Sequence, residues 1–222
     1  MINEGYYRIR RSDDLQETGH YPQAHLRKGY NPRKDGHFMV KHYEFPDFVP
    51  NLELELHPEA IATNYLDSTA GLNNGFIVDN ELRLLMSSFT LPKHHFYPIK
   101  VYKGAELLDY YWFHFLPDNF WEMIDYNTSY MELIKSSGEV IDGFVPILSK
   151  SEMVKLLNSI DWSLYLRIGQ IYMKPEAAQY DLYKTDCLGS NILISKNLKD
   201  SITKAGLTGM EIKPFDKFSI SK

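Results

Sequence analysis

The chain has 222 residues, 44% of them hydrophobic and 24% charged, with a formal net charge of -5. That balance excludes disorder, collagen-like repeats and coiled coil, and it suits a folded globular protein. No apolar run approaches the roughly 18 to 20 residues that cross a bilayer, and the opening MINEGYYRIRR carries no apolar stretch behind its charges, so a cytoplasmic protein with no membrane partner is expected.

A first strand is expected at residues 6–9. The segment 12–35, rich in Gly, Pro, Asp, His and Arg and without apolar periodicity, reads as a long irregular connection. Alternating runs then predict strands at 38–41 and 51–56; in the second, NLELEL, Leu52, Leu54 and Leu56 share one face and Glu53 and Glu55 the other. Asp79 is placed to cap a helix carrying Leu82, Leu85, Met86 and Phe89. Aromatic and branched runs bounded by turn residues predict strands at 97–102, 110–115 and 143–148. Ser149 and Glu152 form a capping-box pair ahead of Met153, Leu156, Leu157 and Ile160. Further strands are expected at 167–172 and 182–184. Ser195 opens a helix with Leu198 and Ile202 inward, stopped by Gly206 and Leu207. The expected fold class is α+β: one compact domain over 1–222, with a mixed or antiparallel sheet and at least three helices.

Residues 76–98 and 192–214 align without a gap. Ile77 and Val78 fall on Leu193 and Ile194, Asp79 on Ser195, Leu82 and Met86 on Leu198 and Ile202, Leu91 on Leu207, Phe96 on Ile212 and Pro98 on Pro214. Two copies are too few for a solenoid, but they predict two similar strand–helix–strand units.

Charge is unevenly spread. Residues 1–43 carry 8 Lys/Arg against 5 Asp/Glu, residues 44–145 carry 5 against 16, and residues 146–222 carry 11 against 8. A middle this acidic repels phosphates, so no nucleic-acid partner is expected through it, and it favours a basic protein partner. The basic stretch 8–34 leaves a nucleic-acid module as a minor alternative.

Motifs for chemistry are absent. Eight histidines, His20, His25, His37, His42, His57, His94, His95 and His114, form no metal-ligand spacing, and no metal or cofactor is expected. Cys187, the single cysteine, excludes an intrachain disulfide, and its context TDCLGSN matches no cysteine-enzyme signature, so it reads as a small core residue. Neither GxSxG nor a phosphate-binding glycine loop occurs, and no catalytic residue is expected. Glu53 and Glu55 read as solvent-facing acids. In LPDNFWEMIDY, Asp118, Glu122 and Asp125 recur at helical spacing beside Trp121 and Tyr126. Acids around an aromatic anchor suit a protein contact, whereas the simpler account has Trp121 filling the core.

The C-terminal NILISKNLKDSITKAGLTGMEIKPF, with Ser195 and the Gly-Leu-Thr-Gly run to Gly209, resembles the close of the bacterial immunity protein 11 family. FIVDNELRLLMSSFTLPKHHFYPIKVY, with Phe96, Tyr97, Pro98 and Ile99, and YYWFHFLPDNFWEMIDYNTS, with Ile124, Asp125 and Tyr126, resemble its other landmarks. The likeness spans roughly residues 71–222, with 1–70 as a variable N-terminal part. It implies a non-enzymatic immunity protein that binds and neutralises a cognate toxin, and it brings no catalytic residues; the acidic middle in turn suits a basic toxin, such as a nuclease. Asp118, Trp121, Glu122, Asp125 and Tyr126 are the expected contact residues. The rival reading is a small hydrolase in which several of His37, His42, His94, His95 and His114 line a pocket formed only by the fold.

Overall fold

The computed structural model describes residues 5–34 and 36–221; of the expected elements, only Asp35, at the end of the 12–35 segment, lies outside the described residues. In chain order the elements are β1 (Tyr7–Arg11), α1 (Leu15–Thr18), β2 (Ala24–Leu26), β3 (Glu53–Leu56), β4 (Tyr65–Leu66), β5 (Phe76–Asp79), α2 (Asn80–Met86), β6 (His94–Lys103) and β7 (Glu106–Phe115). They continue with α3 (Asp118–Met123), β8 (Tyr130–Lys135), β9 (Val140–Pro146), α4 (Lys150–Ser159), β10 (Leu164–Met173), β11 (Leu182–Lys184), β12 (Ile192–Ile194), α5 (Lys196–Ala205), β13 (Met210–Pro214) and β14 (Phe218–Ile220). The strands form three sheets, of orders β2-β3-β6-β7-β5-β4, β14-β10-β8-β9 and β11-β12-β1-β13. Pairing is mostly antiparallel, with β3–β6 and β10–β14 parallel. The α+β class read from the sequence is therefore the class observed. By packing, the chain falls into two compact units, one of Met1–Ile9, Pro117–Lys196 and Lys213–Lys222, the other of Arg10–Leu116 and Asn197–Ile212.

In the unit that holds Arg10–Leu116, the NLELEL alternation does what its period requires. Leu52, Leu54 and Leu56 are buried while Glu53 and Glu55 stay at the edge of solvent, and Lys100, opposite Glu53 on β6, takes Glu53 Oε1 at 2.9 Å. The β6–β7 hairpin stays in register over ten pairs and turns Tyr97, Ile99, Val101, Tyr110 and Trp112 inward. Asp79 caps α2 by accepting the Leu82 N–H at 2.9 Å. The helix stops at Met86, short of Phe89, because the Ser87 and Ser88 hydroxyls donate back to the Arg83 and Leu85 carbonyls.

In the unit that holds Pro117–Lys196, the core gathers Phe120, Ile124, Met131, Ile171, Met173, Tyr183, Leu193 and Phe218. The capping box at α4 forms in both directions between Ser149 and Glu152, and Met153 is buried beneath it. Leu156 packs against the core, while Leu157 and Ile160 are half-buried.

Both aligned segments are strand–helix–strand units: β5, α2 and β6, then β12, α5 and β13. In both, one strand is inserted between the pair, β7 between β5 and β6, and β1 between β12 and β13. Gly206 (φ 69°) and Leu207 end α5 as expected, the Leu207 N–H reaching back to the Ile202 carbonyl at 3.3 Å.

Two expectations are corrected. Residues 38–41 are not a strand: His37–Met39 is a single 3₁₀ turn, closed by Met39 N–H on Gly36 and Val40 N–H on His37. Only Val40 of its apolar residues is buried, so the alternation there marks one contact and not a sheet face. The 12–35 segment is not wholly irregular either, since it holds α1, capped by Asp14, and β2, which pairs with β3.

Candidate protein-binding face

The five expected contact residues do not form an exposed patch around an aromatic anchor. Trp121, on α3, is buried at 9% exposure, packs edge-on against Phe120, and donates its indole N–H to Asp186 Oδ2 at 2.9 Å. Asp186, itself nearly buried, also takes Lys150 Nζ at 3.1 Å. One carboxylate therefore ties α3, the first residue of α4 and the β11–β12 loop together. Tyr126 donates its hydroxyl to the Trp121 carbonyl, and burial pushes that phenol above its ordinary range. Asp125 lies beyond the end of α3, where its carboxylate accepts the Asn127 N–H, so the helical spacing with Asp118 and Glu122 breaks at Ile124. Asp118 is half-buried, and of the five only Glu122 is exposed. Trp121 is thus a core residue of the chain by itself, as the simpler of the two sequence readings has it.

The apolar surface lies elsewhere in the same unit. Trp162 is 93% exposed. Its turn is rigid: the Asp161 carboxylate accepts the Ser163 N–H at 2.8 Å and the Ser163 hydroxyl at 2.6 Å, and the Asp161 carbonyl accepts the Leu164 N–H at 2.9 Å. Those bonds hold the Asp161 carboxyl below its ordinary range. Ser136 donates its N–H and its hydroxyl to the Ser163 carbonyl, which fastens the turn to the loop joining β8 and β9. Strand β9 begins just past that loop, at the edge of its sheet, with Val140, Ile141 and Phe144 exposed along it. Bulges interrupt its register with β8 at Leu133.

Further along β9, Phe144 stacks on Tyr130 with ring centroids 4.8 Å apart. Tyr130 in turn lies over Gly169, where an added Cβ would sit 2.2 Å from the tyrosine ring. Tyr130, Phe144, Tyr172 and Ile220 line a groove of about 640 Å³ on this side of the sheet. Two neighbouring ion pairs close here, Arg167 on Glu132 at 2.6 Å and Lys135 on Glu139 at 2.7 Å. The Trp162 turn lies at the Leu164–Lys135 end of this sheet and the aromatic groove at the Tyr130–Tyr172 end, with the β9 edge running between them. Sequence reading passed over Trp162 because a single aromatic between Asp161 and Ser163 has no periodicity.

The histidines are dispersed. His37 is buried, with Nε2 2.7 Å from the Ala70 carbonyl and Nδ1 2.8 Å from the Tyr30 hydroxyl. His95 and His114 face each other across β6 and β7, and Phe45 packs edge-on to both. Three clefts of the described residues are lined without any of the five histidines that a hydrolase pocket was expected to gather. His20 instead stacks on His57, 37 positions away, a pairing no local spacing signals. Burial holds the Cys187 thiol up to about 11, protonated and poorly nucleophilic. In the basic stretch, Arg10 pairs with Asp13 and Glu211, Arg11 lies over Tyr21 beside Asp13, and Arg27 lies over Tyr102. Those three cations are engaged within the fold. No helix of the described residues is long and apolar enough to cross a membrane.

No protein-family model matches the chain, and no curated protein is detectably similar to it.

Proposed function

We propose that this chain is a cytoplasmic, non-enzymatic binding protein of the immunity type, which captures a protein toxin on the face formed by the Trp162 turn and strand β9. The observation that carries the reading is the indole at 93% exposure, held out by a hydrogen-bonded turn next to an apolar edge strand. The bonded turn fixes the backbone beneath the indole, and so large an aromatic side chain offers a partner the contact area of a binding hot spot. The excess of acids over residues 44–145 adds attraction for a basic toxin such as a nuclease.

The test is co-expression with the toxin encoded beside it, scored by survival and by recovery of one stoichiometric complex. Survival with a complex is expected. A toxin active alone that is neither neutralised nor bound refutes the pairing. Trp162→Ala is expected to weaken the complex about thirtyfold, the scale of a hot-spot truncation. Unchanged affinity in that variant removes this face from the reading while leaving immunity standing.

A further inference from the structure

We infer that His20, His57 and Glu59 form a binding site for one first-row divalent metal ion of the zinc type. One ligand atom from each lies within 4.8 Å of the others. A tetrahedral zinc site with bonds of about 2.0–2.1 Å holds its ligand atoms about 3.4 Å apart, so binding draws the three atoms together and turns one imidazole out of line with the other.

Two features show that the arrangement is built in advance. The first is the backbone beneath it. The segments on either side dock through Ile61 N–H on the Thr18 carbonyl at 2.9 Å, His57 N–H on the Gln23 carbonyl at 2.8 Å, and the Gln23 side-chain amide on the Ile61 carbonyl at 2.7 Å. Gly19 (φ 73°) permits this approach, because a Cβ there would stand 2.2 Å from the Glu59 carbonyl oxygen. The second is the state of the imidazoles. His20 Nδ1 lies 2.9 Å from the Pro22 carbonyl, which only accepts, so Nδ1 donates there and Nε2 is the nitrogen left to face an ion. His57 Nδ1 takes the Glu59 N–H at 3.3 Å and is therefore also unprotonated; a cation replaces that long bond. The two rings lie face to face, 3.4 Å apart and 11° from parallel, which brings their nitrogens close; because each lone pair lies in its ring plane, a shared ion requires one ring to rotate out of the stack.

The donor set selects the ion. Two imidazoles and a carboxylate suit zinc and its neighbours copper and nickel, whereas calcium and magnesium want oxygen throughout. Three protein ligands leave a fourth position for water or for a donor from another molecule. The inference is independent of the toxin-binding reading, since its residues lie in the other unit.

The experiment is a Zn²⁺ titration of the full chain against a chromogenic chelator, with folding checked by circular dichroism. One equivalent is expected. His20→Gln and His57→Gln are each expected to weaken it at least about tenfold, a loss seen even for the partners behind metal ligands. Glu59→Gln, at an exposed position, provides a variant that leaves the fold alone and is expected to weaken binding as well. His25→Gln, outside the triad, is expected to bind as the parent does, and Mg²⁺ not to compete. A tight equivalent that survives in the two histidine variants and in Glu59→Gln overturns the site, as does a parent chain that binds no more Zn²⁺ than they do.

Discussion

His37 and Trp121 show how single residues acquire roles that their neighbours in sequence do not announce. Burial pushes the His37 imidazole below its ordinary 6.5. The unfolded chain therefore takes up that proton at a higher pH than the folded one. The stability tied to neutral His37 is complete above the ordinary value and declines as pH falls toward the lower folded value. The urea midpoint should accordingly drop between about pH 7.5 and about pH 5.5, and drop less in His37→Gln. An equal drop in both would exclude His37 as the source. At Trp121 the indole N–H on Asp186 is worth testing alone: Trp121→Phe keeps an aromatic ring in the core but leaves a buried carboxylate one donor short. A loss of about 1–3 kcal/mol by denaturant unfolding is expected. That bond spans 65 positions, and for that reason the sequence left the acids beside Trp121 open to a second reading as the rim of a contact.

Among the elements, those set by local chemistry were legible. The caps at Asp79 and Ser149, the alternation of Leu52, Leu54 and Leu56, and the Gly206 stop all depend on groups within a few positions of one another. Removing one should cost what a cap contributes: Ser149→Ala is expected to lower stability by about 1 kcal/mol. Strand β8 was not anticipated, because in YMELIK the buried Met131 and Ile134 lie three positions apart and break the strict alternation of a half-buried strand. Strand β9 has the opposite problem. Its residues read as a half-buried strand, yet all but Val145 are exposed. Replacing Val140 and Ile141 with lysine should therefore leave stability within about 0.5 kcal/mol, the usual range for surface positions, while lowering affinity for the partner. A large loss of stability would mean that this edge is packed in solution.

For the whole molecule, charge and anchor are separable. Toxin attraction by the acidic 44–145 stretch should make the association rate fall as salt is raised, while Trp162→Ala should mainly speed dissociation. Surface plasmon resonance at two ionic strengths distinguishes them; an association rate indifferent to salt would leave the net charge as a matter of solubility alone.

By itself the sequence determined the α+β class, the caps at Asp79 and Ser149, the inward face of Leu52, Leu54 and Leu56 and the two strand–helix–strand units, because each follows from hydrogen bonds and periodicities that act over a few residues. It did not determine which tryptophan meets solvent. Trp121 and Trp162 both sit among acids, but Asp186 and Phe120 enclose the first, while the Asp161 turn holds the second outward. Nor did it bring His20 to His57. Burial and convergence are properties of contacts between distant segments, and only the packed chain decides them.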